Sequence, residues 1–148
     1  PAPVSDCAPL GGLVAALLGA CSPGEVHALR DPTRGGLAAV ANEWASGEGV
    51  GIDLVEGAIP VREEVRAACE MLGIDPLHAA CEGRLVAAVA PGSAERALRA
   101  LQGHPLGAGA AVVGGVTADH PQRVVLTTPL GAQRLLEMPT GELLPRIC

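Results

Sequence analysis

The chain has 148 residues, a net charge of -6 at pH 7, no lysine, and Trp44 as its single aromatic residue. That length suits one domain with a real core, which must be aliphatic. The composition excludes base stacking on aromatics, argues against a phosphate-backbone partner such as nucleic acid, and removes any Walker-type lysine. No apolar run approaches the ~20 residues of a membrane span and no signal pattern opens the chain, so a soluble cytoplasmic protein with no membrane partner is expected. It opens Pro-Ala-Pro without Met, as a piece of a longer protein would.

In chain order, Leu10, Leu13, Val14, Leu17 and Leu18 recur at helical spacing, and Gly19 to Pro23 end that helix. The run Glu25–Arg30 reads as a short strand leading into Asp31-Pro-Thr-Arg-Gly-Gly36. Leu37, Val40, Ala41 and Trp44 then restore helical spacing, closed by Gly47 and Gly49. Val50–Val55 alternates as a strand with Ile52 and Leu54 on one side. A helix follows Pro60 through Leu72, with Val61, Val65, Ala68, Cys69 and Leu72 expected to face inward and Gly73 as its stop. Arg84–Ala90 is an apolar run of strand length. Ser93 is expected to cap a helix from Ala94 to Leu101. Strands are expected over Ala110–Val116 and Arg123–Thr127, and Gly131–Met138 reads either as a last short strand or as a helical turn. Continuous apolar strands among helices predict an α/β or α+β sandwich, a mixed sheet with flanking helices.

Three stretches carry groups able to do chemistry. Asp31-Pro-Thr-Arg-Gly-Gly36 sits where a helix begins. Backbone N–H groups and the helix dipole favour an anion there, and Arg34 offers a bidentate contact, so phosphate is one reading. The other is that Asp31 or Thr33 caps the helix and Gly35-Gly36 permits close packing. Glu82, at the entry to an expected central strand, suits a general base or a plain turn carboxylate. The five cysteines, Cys7, Cys21, Cys69, Cys81 and Cys148, are widely spaced with no Cys-x-x-Cys pair, which reads as reduced thiols and no metal site. The last of them ends the chain. Pro139, Gly141 and Pro145 oppose regular structure, so residues 1–138 are expected as the domain and 139–148 as a flexible arm ending in Cys148.

Arg30-Asp-Pro-Thr-Arg-Gly-Gly-Leu-Ala38, Ala58-Ile-Pro-Val61, Glu82-Gly83, His104-Pro-Leu-Gly107 and the closing Leu144-Pro-Arg-Ile-Cys148 resemble the C-terminal half of the HypE family of hydrogenase maturation proteins. The Asp-Pro-Thr-Arg-Gly-Gly motif is shared with the wider AIR synthetase (PurM-like) superfamily. The resemblance implies a PurM C-terminal-type α/β sandwich and a carbamoyl dehydratase that uses ATP and magnesium, held mostly by an N-terminal domain. It implies a terminal cysteine carbamoylated by the carbamoyltransferase HypF, ATP-driven dehydration to thiocyanate, and delivery of cyanide to iron on the HypC–HypD complex, with the whole protein a homodimer. On this chain the acceptor falls on Cys148 and the base on Glu82. Asp31, Thr33, Arg34, Gly35 and Gly36 fall toward the phosphates. The family's Asn-Glu-Gly reads Cys81-Glu82-Gly83 here. Two other readings stand beside it: a carrier and docking module without catalysis of its own, and a domain binding a phosphate metabolite.

Overall fold

A computed structural model describes residues 5–138, so the expected arm and Cys148 lie outside the described residues. The first helix, α1 (Gly11–Ala20), buries Leu13 and Leu17, one turn apart, against α4 (Ala94–Gln102). Strand β1 (Val26–Arg30) pairs antiparallel with β3 (Val86–Val89), with Arg30 opposite Val86. These two strands form a sheet of their own.

Helix α2 (Gly36–Glu48) turns an alanine-rich face inward, burying Ala38, Ala41 and Ala45, and ends where Gly49 takes a left-handed φ of 69°. Only a glycine adopts that conformation without strain. Strand β2 (Gly51–Val55) follows and becomes the second strand of a four-stranded sheet ordered β4-β2-β5-β6. Its neighbours are β4 (Gly114–Thr117), antiparallel, and β5 (Val124–Thr127), parallel; β6 (Gln133–Leu135) closes the sheet antiparallel to β5. The parallel pair is possible because a long crossover, including helix α3 (Glu63–Leu72), β3 and α4, lies between β2 and β5.

Ile52 and Leu54 of β2, Val124 and Leu126 of β5, and Leu136 beyond β6 meet the alanines of α2 and Leu77 in the core. Small alanines let the helix approach the sheet closely, and the branched residues of the strands fill the space between. Trp44, partly buried, packs against this cluster. Asn42 of α2 fixes the end of the described chain: its amide donates to the carbonyls of Ala38 at 2.9 Å and of Leu136 at 2.8 Å. A second polar tie joins Glu25, before β1, to Arg96 of α4 at 2.6 Å.

The α/β sandwich, the mixed sheet and the order of elements agree with the sequence reading, and the ambiguous Gly131–Met138 contains a strand. Several details differ. The strands form two sheets instead of one. Strand β4 starts at Gly114 instead of Ala110, and residues 110–113 before it line an apolar groove of about 620 Å³ that also borders α1, α4 and β3. On α3 only Cys69 is buried, and Leu72 is 69% exposed, because the helix rests on the Pro76–His78 turn and leaves its C-terminal end in solvent. Ser93 does not cap α4; its hydroxyl is buried and accepts from Arg96 at 3.2 Å.

Candidate functional site

The antiparallel β1–β3 ladder decides which motifs meet. Pairing Arg30 with Val86 brings the chain that leaves β1 beside the chain that enters β3, so Asp31-Pro-Thr-Arg-Gly-Gly36 lies against the segment 77–83. The contact is specific. Cys81 N–H donates to the Pro32 carbonyl at 2.9 Å. A Cβ on Gly36 would stand 2.5 Å from the Leu77 carbonyl oxygen and 2.6 Å from that of Ala79. Gly36 also holds a φ of 61°, and Gly35 one of 80°. The smallness of Gly36 is thus taken up by packing against the segment that carries Glu82.

A second close approach fixes the other side. A Cβ on Gly83 would stand 1.4 Å from the Asp6 carbonyl oxygen, so residues 6–8 pass directly over Gly83. Between these elements lies a cleft of about 390 Å³, lined by Arg30, Asp31 and Glu82 and by an apolar wall of Ala8, Leu10, Val14, Leu29 and Leu85. Arg30 is tied through one amino nitrogen to Glu43 of α2. Among the described residues, Glu82 and Arg34 have no ion-pair or hydrogen-bond partner.

The structure therefore brings Asp31 and Glu82, 51 positions apart, into one cleft. Thr33, Arg34, Gly35 and Gly36 lie next to it in the chain but do not line it. Asp31 and Thr33 give no side-chain cap to α2; Thr33 works through its backbone, donating to the Asp31 carbonyl at 3.0 Å and accepting from Gly36 N–H at 2.9 Å. Arg30 was missed as a site residue, although its place as the last strand residue before the motif could have marked it. Cys81 sits half-buried behind Glu82, with its sulfur 3.5 Å from the Ala79 carbonyl. Burial first, and then the nearby Asp6 carboxylate, push its thiol up, against a smaller opposite pull from Arg84. Such a thiol is a poor nucleophile at neutral pH. No group of three or more His, Cys, Asp or Glu able to hold a metal exists among the described residues, and no helix among them is long and apolar enough to cross a membrane.

Residues 2–127 match the family described as AIR synthase related protein, C-terminal domain. The chain belongs to this family. As an AIR synthase-related domain it is 54% identical over 144 residues to the carbamoyl dehydratase HypE of Azotobacter vinelandii, a match that takes in 97% of this chain and 42% of that protein. The chain thus spans less than half the length of the curated relatives it matches. Among solved structures, the hydrogenase maturation protein HypE superposes with a TM-score of 0.88 at 45% identity over 97% of this chain and 46% of that one. HypE in complex with ATP gives 0.85 at 41% identity, over 94% and 43%. HypE in a HypE–HypF complex gives 0.87 at 40%, over 93% and 44%. The AIR synthase-related domain of this chain therefore has the sandwich of HypE.

Proposed function

We propose that this chain is the C-terminal part of an ATP-dependent carbamoyl dehydratase of hydrogenase maturation. The observation that carries the reading is the 54% identity to carbamoyl dehydratase HypE across nearly the whole chain. The cleft supports it, because the one carboxylate assigned a proton-transfer role, Glu82, faces an open, largely apolar space and has no competing partner among the described residues.

The sulfur of Cys148 accepts a carbamoyl group from a HypF-type carbamoyltransferase, in keeping with the relative solved with HypF. Sulfur suits both the loading and the release, since its thiolate is a strong nucleophile and an S-bound cyano group can later depart. Dehydration moves the amide oxygen out as phosphate, at the expense of ATP, while nitrogen loses both protons and the carbon–nitrogen bond becomes triple. Glu82 takes a proton from that nitrogen. The relative solved with ATP supports the energy source. Arg34, unpaired among the described residues, and the start of α2 suit the phosphate side. The described residues include no group of three or more His, Cys, Asp or Glu able to hold magnesium. The cyano group then passes to iron on a HypC–HypD-type acceptor, and the full-length protein is a homodimer.

The 148 residues alone act as the acceptor and docking part, with dehydration requiring the remaining length found in the relatives. The test is the intact mass of the chain after incubation with a HypF-type carbamoyltransferase, carbamoyl phosphate and ATP, followed by peptide mapping. Gain of one carbamoyl group on Cys148 is expected, without conversion to thiocyanate. No gain, with the transferase active on a full-length HypE, refutes the acceptor role for this chain.

A further inference from the structure

We infer that Asp31 is a second catalytic carboxylate of the proposed dehydration, taking from the amide nitrogen the proton that Glu82 leaves behind. The inference deepens the function proposed above and rests on that reading. It gives Asp31, which resemblance sets toward the phosphates, a place at the reacting nitrogen.

The first support is where the two carboxylates stand. Cys81 N–H donates to the Pro32 carbonyl at 2.9 Å, on chains that extend the antiparallel β1–β3 pair. Asp31 precedes Pro32 and Glu82 follows Cys81. The bond therefore sets Asp31 and Glu82 across from each other, as facing neighbours on antiparallel chains. Both side chains are exposed, and both line the cleft of about 390 Å³. Their backbones are pinned close by: Gly83 lies against the Asp6 carbonyl, and the Asp31 carbonyl accepts from Thr33 N–H at 3.0 Å. A base carried on backbone fixed in this way keeps its aim.

The second support is that the fold puts neither charge to structural use. Asp31 gives no side-chain cap to α2, and among the described residues neither carboxylate has an ion-pair or hydrogen-bond partner. Like charges directly across from one another destabilise a strand pair. Arg30, in the same cleft, is engaged with Glu43 of α2. Two free carboxylates beside a wall of Leu10, Val14, Leu29 and Leu85 are suited to accept protons from a bound substrate.

The third support is the balance of the reaction. A carboxamide nitrogen carries two protons and a cyano nitrogen none. In the first half, the amide oxygen attacks the terminal phosphorus of ATP, ADP departs, and Glu82 takes one proton, leaving an imidate that bears an O-phosphate. In the second half, Asp31 takes the remaining proton and the freed electron pair makes the carbon–nitrogen bond triple. The carbon–oxygen bond breaks, and its electrons leave with phosphate. A Glu82 already protonated cannot accept again, so a lone carboxylate would have to shed its proton midway. Asp31 also suits the later step by position, since it opens the stretch that runs through Arg34 to the start of α2, the side proposed for phosphate.

The test is single-turnover dehydration in the full-length protein that carries this chain, loaded by a HypF-type carbamoyltransferase and mixed with ATP and magnesium. ADP and the cyanated peptide are followed together. Asp31→Asn is expected to slow thiocyanate formation about 100-fold and to leave the KM for ATP within about twofold of the parent. It should still release ADP, while a peptide one phospho group heavier than the carbamoylated form builds up. Glu82→Gln stalls before ADP is released. Asp31→Glu keeps the carboxylate and recovers at least about a tenth of the parental rate. Glu95→Gln, exposed on α4, matches the parent. In the 148-residue chain Asp31→Asn melts no lower than the parent, because it removes a like-charge contact. Parental thiocyanate rates in Asp31→Asn overturn the inference. So does a raised KM for ATP or an altered magnesium requirement with the maximal rate intact, which makes Asp31 a nucleotide-side residue, and so does a lowered melting temperature, which makes it structural. A parent that forms no thiocyanate removes the proposed function as well; an active parent with an indifferent Asp31 removes this inference alone.

Discussion

Replacing Gly36 by alanine tests the contact that joins the two motifs. The new methyl would stand 2.5 Å from the Leu77 carbonyl oxygen, where ordinary contact begins at 3.4 Å, and both nearest neighbours are backbone atoms unable to swing aside. Left-handed φ adds about 1–2 kcal/mol for a residue with a Cβ, and overpacking adds about 1–3 kcal/mol. The sum, about 2–5 kcal/mol, lowers the melting temperature of a chain this size by about 4–20 °C. Gly47, in the last turn of the same helix, has right-handed φ and nothing within 4 Å of the added methyl. There alanine stabilises by about 0.5–1 kcal/mol through helix propensity. Thermal unfolding followed by circular dichroism reads both variants, and the two shifts should have opposite signs. Cys81 in the Gly36→Ala chain should also react faster with iodoacetamide, because the displaced 77–81 segment covers it less. A Gly36→Ala chain melting within about 2 °C of the parent would show that the two segments part without cost, and the close approach would then explain nothing about the glycine.

The Glu25 carboxyl is held down to about 2 by hydrogen bonds from the Ser93 hydroxyl, the Ser22 N–H and Arg96, against an ordinary 4.5. A depressed folded-state value contributes stability that is full above the unfolded value and lost as pH falls toward 2. The melting temperatures of the parent and Glu25→Gln should thus differ at pH 7 and converge between pH 5 and 2; a gap constant over that range contradicts this. Cys81, its thiol pushed up by burial and Asp6, should alkylate at pH 8 more slowly than exposed Cys7, and Asp6→Asn should raise its rate. An unchanged rate in Asp6→Asn removes Asp6 from the account. Asn42→Ala strips the buried Leu136 carbonyl of its donor and should destabilise by about 1–3 kcal/mol in urea unfolding; a change below about 0.5 kcal/mol would show that water replaces the amide.

The helices and strands of the core were legible because each obeys a local period. Leu13 and Leu17 on α1, Ala41 and Ala45 on α2, and Ile52 and Leu54 on β2 are buried as their spacing requires, whereas Leu18, at the same spacing on α1, is exposed. The division into two sheets was not legible, since the β1–β3 pairing joins residues more than 50 positions apart and leaves no local mark. Strand β3 was read from Arg84 but begins at Val86, three residues beyond the close approach of Gly83 to Asp6. The inward face expected for α3 failed for a similar reason: its period is helical, but among its own residues only Cys69 is buried where the helix meets the Pro76–His78 turn. In the cleft, Glu82 and the Asp31 motif were each singled out from their own residues and given roles by resemblance, and their meeting follows from the β1–β3 register. Of the readings of this stretch, close packing accounts for Gly36, neither Asp31 nor Thr33 caps α2 with its side chain, and the unpaired Arg34 fits a solvated guanidinium as well as a phosphate contact.

Trp44 follows Asn42 and Glu43 on α2, against the aliphatic core. With no tyrosine or phenylalanine anywhere in the chain, all of its near-ultraviolet emission comes from this one indole. The helix that holds Leu136 on one residue and Arg30 on the next is thereby equipped with a native optical reporter, free of background. Quenching or spectral shift on nucleotide, partner or peptide addition reads α2 directly, and no label has to be introduced to see it.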